Sequence, residues 1–328
     1  VELIPQDTQS DSNRSAQVTA DLIQLEKVDV ICSGGAPDTY IPSAEVCESM
    51  GCPSVSNAGP WQAFIFGRKA PAEGFKWTYA NLVGSEQTVA CFIDMFNQVP
   101  NNKLVGMLVK NDAEGSAWVG EKSASEVFKA AGFTLVMPDP YPVGSDDFTK
   151  QIAEFKKAGC EIVCGTNNPP DFTNFWKQAV QQGFRPKLVS TGNALLFPQT
   201  LDAIGPIGVG LIGECGWHRT YPFPDYFTGE SCNELADDFE KVMDMQIPSS
   251  AVAAYFLVTW ATDVLKRATN PEDKESVAEA IKATKIMTAS GPVDFTSPVD
   301  PNPVDPGSHH PAINCTKPPF CGAQWVKG

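Results

Sequence analysis

Histidine is nearly missing from this chain of 328 residues, which holds three, at 218, 309 and 310. No CxxC occurs either, so no ligand spacing points to a metal, and neither a metal nor another cofactor is expected. GxSxG, HExxH and the phosphate-binding GxxxxGK[ST] are also lacking, which removes the best-known signatures of hydrolases and nucleoside triphosphatases. Basic residues are scarce. Lys and Arg number 24 against 39 Asp and Glu, a net charge of −15. That field repels phosphate backbones and anionic lipid, so no nucleic acid partner is expected. Long apolar runs are missing too. The uncharged stretch Gln246 to Thr262 is broken by Pro248, Ser249, Ser250 and Thr259, and it falls short of the roughly 20 apolar residues of a membrane span. Direct membrane insertion is therefore not expected, and there is no solenoid-length repeat or low-complexity tail.

What is present can build cores: 42% of residues are hydrophobic and 10% aromatic, which argues against disorder. Typical domains hold roughly 100–200 residues, so two domains are expected. Ten cysteines suit an exported protein better than a cytosolic one. Three pairs lie close in sequence in turn-like surroundings and read as disulfides: Cys47 with Cys52, Cys215 with Cys232, and Cys315 with Cys321. Cys160 and Cys164, at i and i+4 of a strand, would be about 13 Å apart, too far to bond. With Cys32 and Cys91 they read as buried thiols.

From Val28 onward, apolar runs alternate with amphipathic stretches. VDVICSGG reads as a strand entering a Gly-rich turn, followed by helix PDTYIPSAEVCESMG and strand CPSVSNAG. From 103 to 215 the alternation is clearest: strands KLVGMLVKN, FTLVMPDPYPV, CEIVCGTNN, KLVSTGN and GVGLIGECG are separated by helical segments, among them GSAWVGEKSASEVFKAAG. Phe148, Ile152 and Phe155 form one helical stripe; Phe172, Phe175, Trp176 and Ala179 form another, with Gly183 as a stop. Strict β–α alternation means parallel sheets covered by helices on both faces. A later block, NELADDFEKVMD, SSAVAAYFLVTWATDVLKRA and DKESVAEAIKATK, is helical. The segment 292–328 is rich in proline and turns, with strand-like pieces GPVDFT and GAQWVKG. Ser33, Gly34 and Gly35 end a strand ahead of a helix with Pro37 in its first turn. Exposed backbone N–H groups and the helix dipole there suit a carboxylate, unless the glycines serve the turn alone.

Several segments together resemble the type I periplasmic solute-binding proteins, the branched-chain amino-acid-binding branch of ABC importers. They are VELIPQDTQSDSNRSAQVTADLIQLEKVDVICSGG, CPSVSNAGPW, KWTYANLVGSEQTV, the βα run to GVGLIGECGW, and the pieces PWQAFIFGR, FTGESCNELADDFE and CGAQWV. The resemblance spans essentially the whole chain. It implies two doubly wound parallel-sheet lobes joined by three hinge crossings, near 81–85, 214–218 and 298–308. Lobe one would hold 1–82 plus 217–300, and lobe two 83–216 plus 301–328. It also implies a small-molecule solute taken up by closure of a cleft, ABC importer membrane subunits as partners, and a periplasmic or extracytoplasmic location; the net charge is compatible with a monomer without requiring one. The family opens with a strand and a long helix ahead of the VELIPQD-like strand. Their absence here reads as a fragment or a mis-assigned start.

Carried onto these residues, the resemblance assigns Ser33, Gly34 and Gly35 a hydroxyl-and-backbone grip on the ligand. It gives the loop after the next strand, with Ala58, Gly59, Pro60 and Trp61, further backbone contacts. Trp61 has two roles open to it, stacking on a planar solute or capping the core. Glu114, followed by Gly115, stands where relatives place a Tyr-Gly pair, with Trp118 one turn on. Asn167 and Asn168 stand where amino-acid binders often have an aromatic. Asn193 stands where those binders place an acid for the ligand's ammonium, and no acid occurs between Lys187 and Asp202. Glu114 is the one alternative acid for an ammonium; without it an uncompensated ammonium in a closed cleft is costly, so a planar or aromatic carboxylate, or a small amide, is expected ahead of an amino acid, with Trp61, Trp118 and Trp217 lining the site. His218, beside Trp217, faces either an anionic ligand or a local hydrogen bond. Two other classes compete: a hydrolase using a Cys215–His218 couple, and a cytoplasmic sensor domain of the same fold.

Overall fold

A computed structural model describes residues 1–116, 118–119, 123–297, 299 and 312–327. The chain divides into two compact units. Unit 1 comprises residues 1–85, 216–247 and 251–319; unit 2 comprises 86–215, 248–250 and 320–328. The expected third crossing, near 298–308, lies outside the described residues apart from Val299.

Unit 1 holds a four-stranded parallel sheet in the order β1-β2-β3-β11, formed by β1 (Ile31–Gly34), β2 (Ser54–Pro60), β3 (Thr78–Val83) and β11 (Cys315–Thr316). Its helices are α1 (Ser12–Gln24), α2 (Pro37–Met50), α9 (Cys232–Met243), α10 (Ser249–Arg267) and α11 (Lys274–Lys282). A hairpin of β9 (Lys285–Thr288) and β10 (Gly291–Asp294) completes it. Local chemistry sets the ends of these helices. Asp11 caps α1 by accepting from the Arg14 N–H at 2.7 Å, and Ser231 with Glu234 makes a reciprocal capping box on α9. Gly51, in the left-handed region, stops α2. The apolar face of α10 packs Phe256, Trp260 and Val264 against Val55 and Tyr79 of the sheet. The strand expected over VELIPQD is not formed: Val1 and Leu3 are exposed and the segment is irregular. An extended segment with no neighbouring strand leaves its peptide groups to water.

Unit 2 has a six-stranded sheet in the order β12-β8-β7-β6-β4-β5. Its members are β4 (Leu104–Val109), β5 (Thr134–Val136), β6 (Ile162–Asn167), β7 (Leu188–Asn193), β8 (Ile212–Cys215) and β12 (Cys321–Gln324). All neighbours run parallel except β12, which pairs antiparallel with β8. Helices α3 (Ser85–Asn97), α5 (Ala124–Ala130), α6 (Thr149–Ala158), α7 (Pro169–Gln181) and α8 (Pro198–Ile204), with the single turn α4 (Ala113–Ser116), make the connections. Two cores result. The stripes of α6 and α7, with Phe148, Ile152, Phe155, Phe172 and Phe175, meet Val163 and Val189 in one. Phe92, Phe96, Phe128 and Phe133 meet Met107 and Ile162 in the other. A sheet buried on both faces explains the near-continuous apolar strands. The helix expected over GSAWVGEKSASEVFKAAG is broken into α4 and α5.

None of the three expected disulfides is formed. Strand register gives the reason for one pair: Cys315 sits opposite Ala80 in unit 1, whereas Cys321 sits opposite Cys215 in unit 2. The Cys232 thiol points at the carbonyl oxygens of Phe223 (3.2 Å) and Ala289 (3.3 Å) rather than at Cys215. Cys47 and Cys52 are linked through their backbones, the Cys52 N–H donating to the Cys47 carbonyl at 2.9 Å, while both side chains pack with Ile23 and Ile31 as small apolar groups. Cys160 and Cys164 are buried as expected, but Cys32 is exposed and Cys91 half-buried.

Candidate functional site

In unit 1 the carboxyl ends of β1 and β2 lie side by side, Gly34 level with Asn57. The Ser33 and Ser56 hydroxyls are hydrogen-bonded at 2.9 Å. Asn57 is buried and its Nδ2 donates to the Ala253 carbonyl at 2.6 Å, which anchors the strand end to α10. Beyond it β2 bulges. Ala58 and Gly59 both take positive φ, 61° and 96°, a strained choice for alanine. At Gly59 a side chain has no room, because a Cβ would come within 2.7 Å of the Tyr40 ring. The Tyr40 hydroxyl in turn donates to the Pro60 carbonyl at 3.1 Å. Ser33, Gly34, Gly35, Ala58, Gly59 and Pro60 thus form one partly exposed edge of backbone and hydroxyl groups. Asp38, in the first turn of α2, already answers that helix's positive end.

In unit 2 the carboxyl ends of β4, β6, β7 and β8 carry the polar groups. Lys110, just past β4, is buried, and its Nζ contacts Glu114 Oε2 (2.6 Å), Asp112 Oδ2 (3.0 Å) and Asn168 Oδ1 (3.2 Å). Burial works against its charge, but Glu114 and Asp112 outweigh that and hold the ammonium above its ordinary range. Gly115 is required by close approach, since a Cβ there would overlap the Lys110 carbonyl oxygen. Asn167 is committed to structure. Its Nδ2 donates to the Leu108 carbonyl (3.1 Å) and the Tyr141 hydroxyl (2.9 Å), and its Oδ1 accepts from Thr191 (2.7 Å). Asn193 ends β7 at φ 63°, ψ −64°, outside the ordinary regions for a residue with a side chain.

The N–H of Asn193 donates to Oε1 of Glu214 on β8 at 3.2 Å. Glu214 is a functional candidate that the sequence reading missed. It is partly buried, and burial pushes its carboxyl up to about 7, against the hydrogen bonds from Asn193 and Thr88 and with a further push from Glu114. Its neighbour across the sheet is Gly192, where a Cβ would stand 3.1 Å from Oε1. The only sequence signal was its place one residue before the end of a strand in a βα run.

The three tryptophans do not line these edges. Trp61, 1% exposed, packs with Tyr40, Phe64 and Leu82; Trp118, 6% exposed, packs with Phe92 and Phe128; Trp217, 5% exposed, packs with Cys232 and Val252 and donates from Nε1 to the Ala289 carbonyl at 3.1 Å. Their rings pack into the cores of their own units. His218 is exposed, and its Nδ1 is hydrogen-bonded to the Thr220 hydroxyl at 2.8 Å rather than to Cys215. Among the described residues no three His, Cys, Asp or Glu side chains gather as metal ligands.

Two units built on parallel sheets, each with polar and conformationally special residues at the carboxyl ends of its strands, define a binding protein of the open α/β class. The chain belongs to the periplasmic binding protein family, whose profile matches residues 1–306. Among curated proteins it is similar to Leu/Ile/Val-binding protein homolog 8 of Brucella abortus, 23% identical over 204 residues, or 60% of this chain and 49% of the relative. Homolog 7 of the same species is 29% identical over 85 residues, 26% of this chain and 21% of the relative. The chain thus spans about half, or less, of the curated relatives it matches. Among solved structures, the branched-chain amino acid binding protein LivJ of Streptococcus pneumoniae, in complex with isoleucine, superposes with a TM-score of 0.79 at 13% identity, covering 99% of this chain and 84% of that one. A solute binding protein of R. palustris in complex with 4-hydroxybenzoate gives 0.76 at 16% identity, covering 99% and 82%. A type 1 periplasmic binding protein of Bordetella pertussis gives 0.75 at 12% identity, covering 98% and 84%. These likenesses establish the type I fold, and each of these proteins is named as a binding protein.

Proposed function

We propose that this chain is the solute-capturing part of an extracytoplasmic binding protein that serves an ABC importer, closing about its crossings on a small carboxylate. One observation carries the reading. Both sheets end in polar, partly strained strand termini, the position where open α/β folds take up ligands. In unit 1 that edge offers hydroxyls and backbone groups among the described residues, which suits a solute oxygen held by hydrogen bonds. Carboxylate is the group shared by the isoleucine and 4-hydroxybenzoate of the two neighbours. The aromatic preference expected from the tryptophans loses its support, because all three are core residues, so an amino acid regains its place beside a benzoate-like acid. Location outside the cytoplasm, importer membrane subunits as partners and a monomeric state belong to the same reading. Among the described residues no helix is long and apolar enough to cross a membrane.

The test is mass spectrometry of small molecules released when freshly purified protein is denatured, followed by calorimetric titration of whatever is found. A stoichiometric carboxylate that rebinds supports the reading. A released molecule without a carboxylate, or turnover of any added ligand, overturns it.

A further inference from the structure

We infer that Glu214 is the acid of unit 2 that receives a positively charged nitrogen of the solute, in place of the acid that the family resemblance expects at Asn193. This deepens the reading above and rests on it. The class of solute follows: a small molecule carrying an ammonium.

The argument begins with what holds the carboxylate. Glu214 lies at the carboxyl end of β8, level with the end of β7, and receives the N–H of Asn193 at 3.2 Å and the hydroxyl of Thr88 on α3. Two costs are met to keep it there. Asn193 is bent to φ 63°, ψ −64°, and β7 carries a glycine at 192, where any side chain would crowd Oε1. What is missing is a cation: among the described residues no Lys, Arg or His nitrogen makes an ion pair with Glu214, and Lys110 is already shared by Asp112 and Glu114.

The other titratable groups that face Glu214 add no positive charge. Glu114 of α4 repels it, and the thiols of Cys91 on α3 and Cys164 on β6 stay neutral, Cys91 pushed up to about 12 and Cys164 also raised well above its ordinary value by burial. A carboxylate so placed, hydrogen-bonded but without a counter-ion, is short of the partner that would hold its charge. An ammonium supplies one. A solute carboxylate, as in benzoate, would instead have to be met by the protonated acid. The two classes therefore move protons in opposite directions. With its carboxyl raised toward 7, Glu214 is only partly ionised at pH 7, so an ammonium solute expels a fraction of a proton and a carboxylate group docking there draws a fraction in.

The experiment uses the wild-type chain, Glu214→Gln, and the double variant Glu214→Gln with Asn193→Asp. The probes are the twenty common amino acids, benzoate and 4-hydroxybenzoate, screened by melting shift and then titrated calorimetrically at pH 7 in two buffers of different ionisation enthalpy. The expected result is that one or more amino acids bind with proton release. Affinity should fall at least tenfold in Glu214→Gln with the unliganded melting temperature not lowered, and recover at least in part in the double variant, which returns an acid to position 193. Binding of a benzoate with proton uptake, and no loss in Glu214→Gln, overturns the inference while leaving the solute-binding reading intact. If no ammonium-bearing probe binds, the inference falls. If in addition nothing is released from denatured protein, the reading beneath it falls as well.

Discussion

Glu214 should make unit 2 less stable as pH rises, the reverse of what a salt-bridged carboxylate does. Its ordinary value is 4.5 and the folded value is about 7. Between those values the unfolded chain has lost the proton that the folded chain keeps, so the unfolded state binds fewer protons and stability falls with pH across that window. Below pH 4.5 both states are protonated and the group contributes nothing. Above pH 7 the full penalty applies. The displacement, at 1.36 kcal/mol per unit, amounts to about 3 kcal/mol, a large share of the stability of a domain. Glu214→Gln keeps the shape and the acceptor for the Asn193 N–H but carries no charge. The variant should therefore gain about 3 kcal/mol over wild type at pH 8 relative to their difference at pH 4. Native-state hydrogen exchange of the β7 and β8 amides reports on unit 2 directly. Comparing variant with wild type at each pH cancels the intrinsic exchange rates. An identical difference at pH 4 and pH 8 would refute the claim that burial raises this carboxyl.

Other substitutions separate site from scaffold. Trp217→Ala removes a core side chain and the stronger of two donors to the Ala289 carbonyl, so it should cost about 3–5 kcal/mol in urea denaturation while solute affinity, measured below the transition, stays unchanged; a tenfold affinity loss in folded protein would return Trp217 to the site. Tyr40→Phe deletes the bond to the Pro60 carbonyl and should cost about 1 kcal/mol, seen as a small drop in melting temperature. Gly115→Ala cannot be accommodated against the Lys110 carbonyl and should melt well below wild type; a neutral result would show that the Lys110–Glu114 turn is loose. Asn193→Gly should relieve backbone strain worth about 1–3 kcal/mol and raise the melting temperature, with solute affinity lowered because the Glu214 support becomes mobile.

The alternation of β and α was legible because its signals are local. Phe148, Ile152 and Phe155 recur at helical spacing wherever α6 lies, and all three are fully buried. Gly51 ends α2 by its own backbone preference. The unit 1 edge was legible for the same reason, since Ser33–Gly35 and Ala58–Pro60 are turn-forming stretches at the ends of recognisable strands. Burial of particular tryptophans was not, because a Trp after a strand reads alike whether its ring faces a core or a solute. Nor were the cysteine partners. Closeness along the chain favoured Cys315 with Cys321, whereas register sets Cys321 opposite Cys215.

The missed acid shows where such reading stops. Around Asn193, between Lys187 and Asp202, the chain holds no acid. In a parallel sheet, the residue nearest the end of one strand is more often on the next strand than next in sequence, with a helical crossover between them. Glu214 is 21 residues beyond Asn193 and 3.2 Å from its backbone nitrogen. No spacing rule within one segment encodes that contact; it follows from Ser190 pairing with Ile212, which sets Gly192 level with Glu214. The glycine that leaves room for the carboxylate and the strained residue that donates to it are both on β7, while the charge is on β8. If Glu214 and Asn193 act as one unit, their substitutions should not be additive. Combining Glu214→Gln with Asn193→Gly should then cost no more affinity than Glu214→Gln alone, because a support with nothing left to hold has no further effect. Additive losses would mean that Asn193 touches the solute itself.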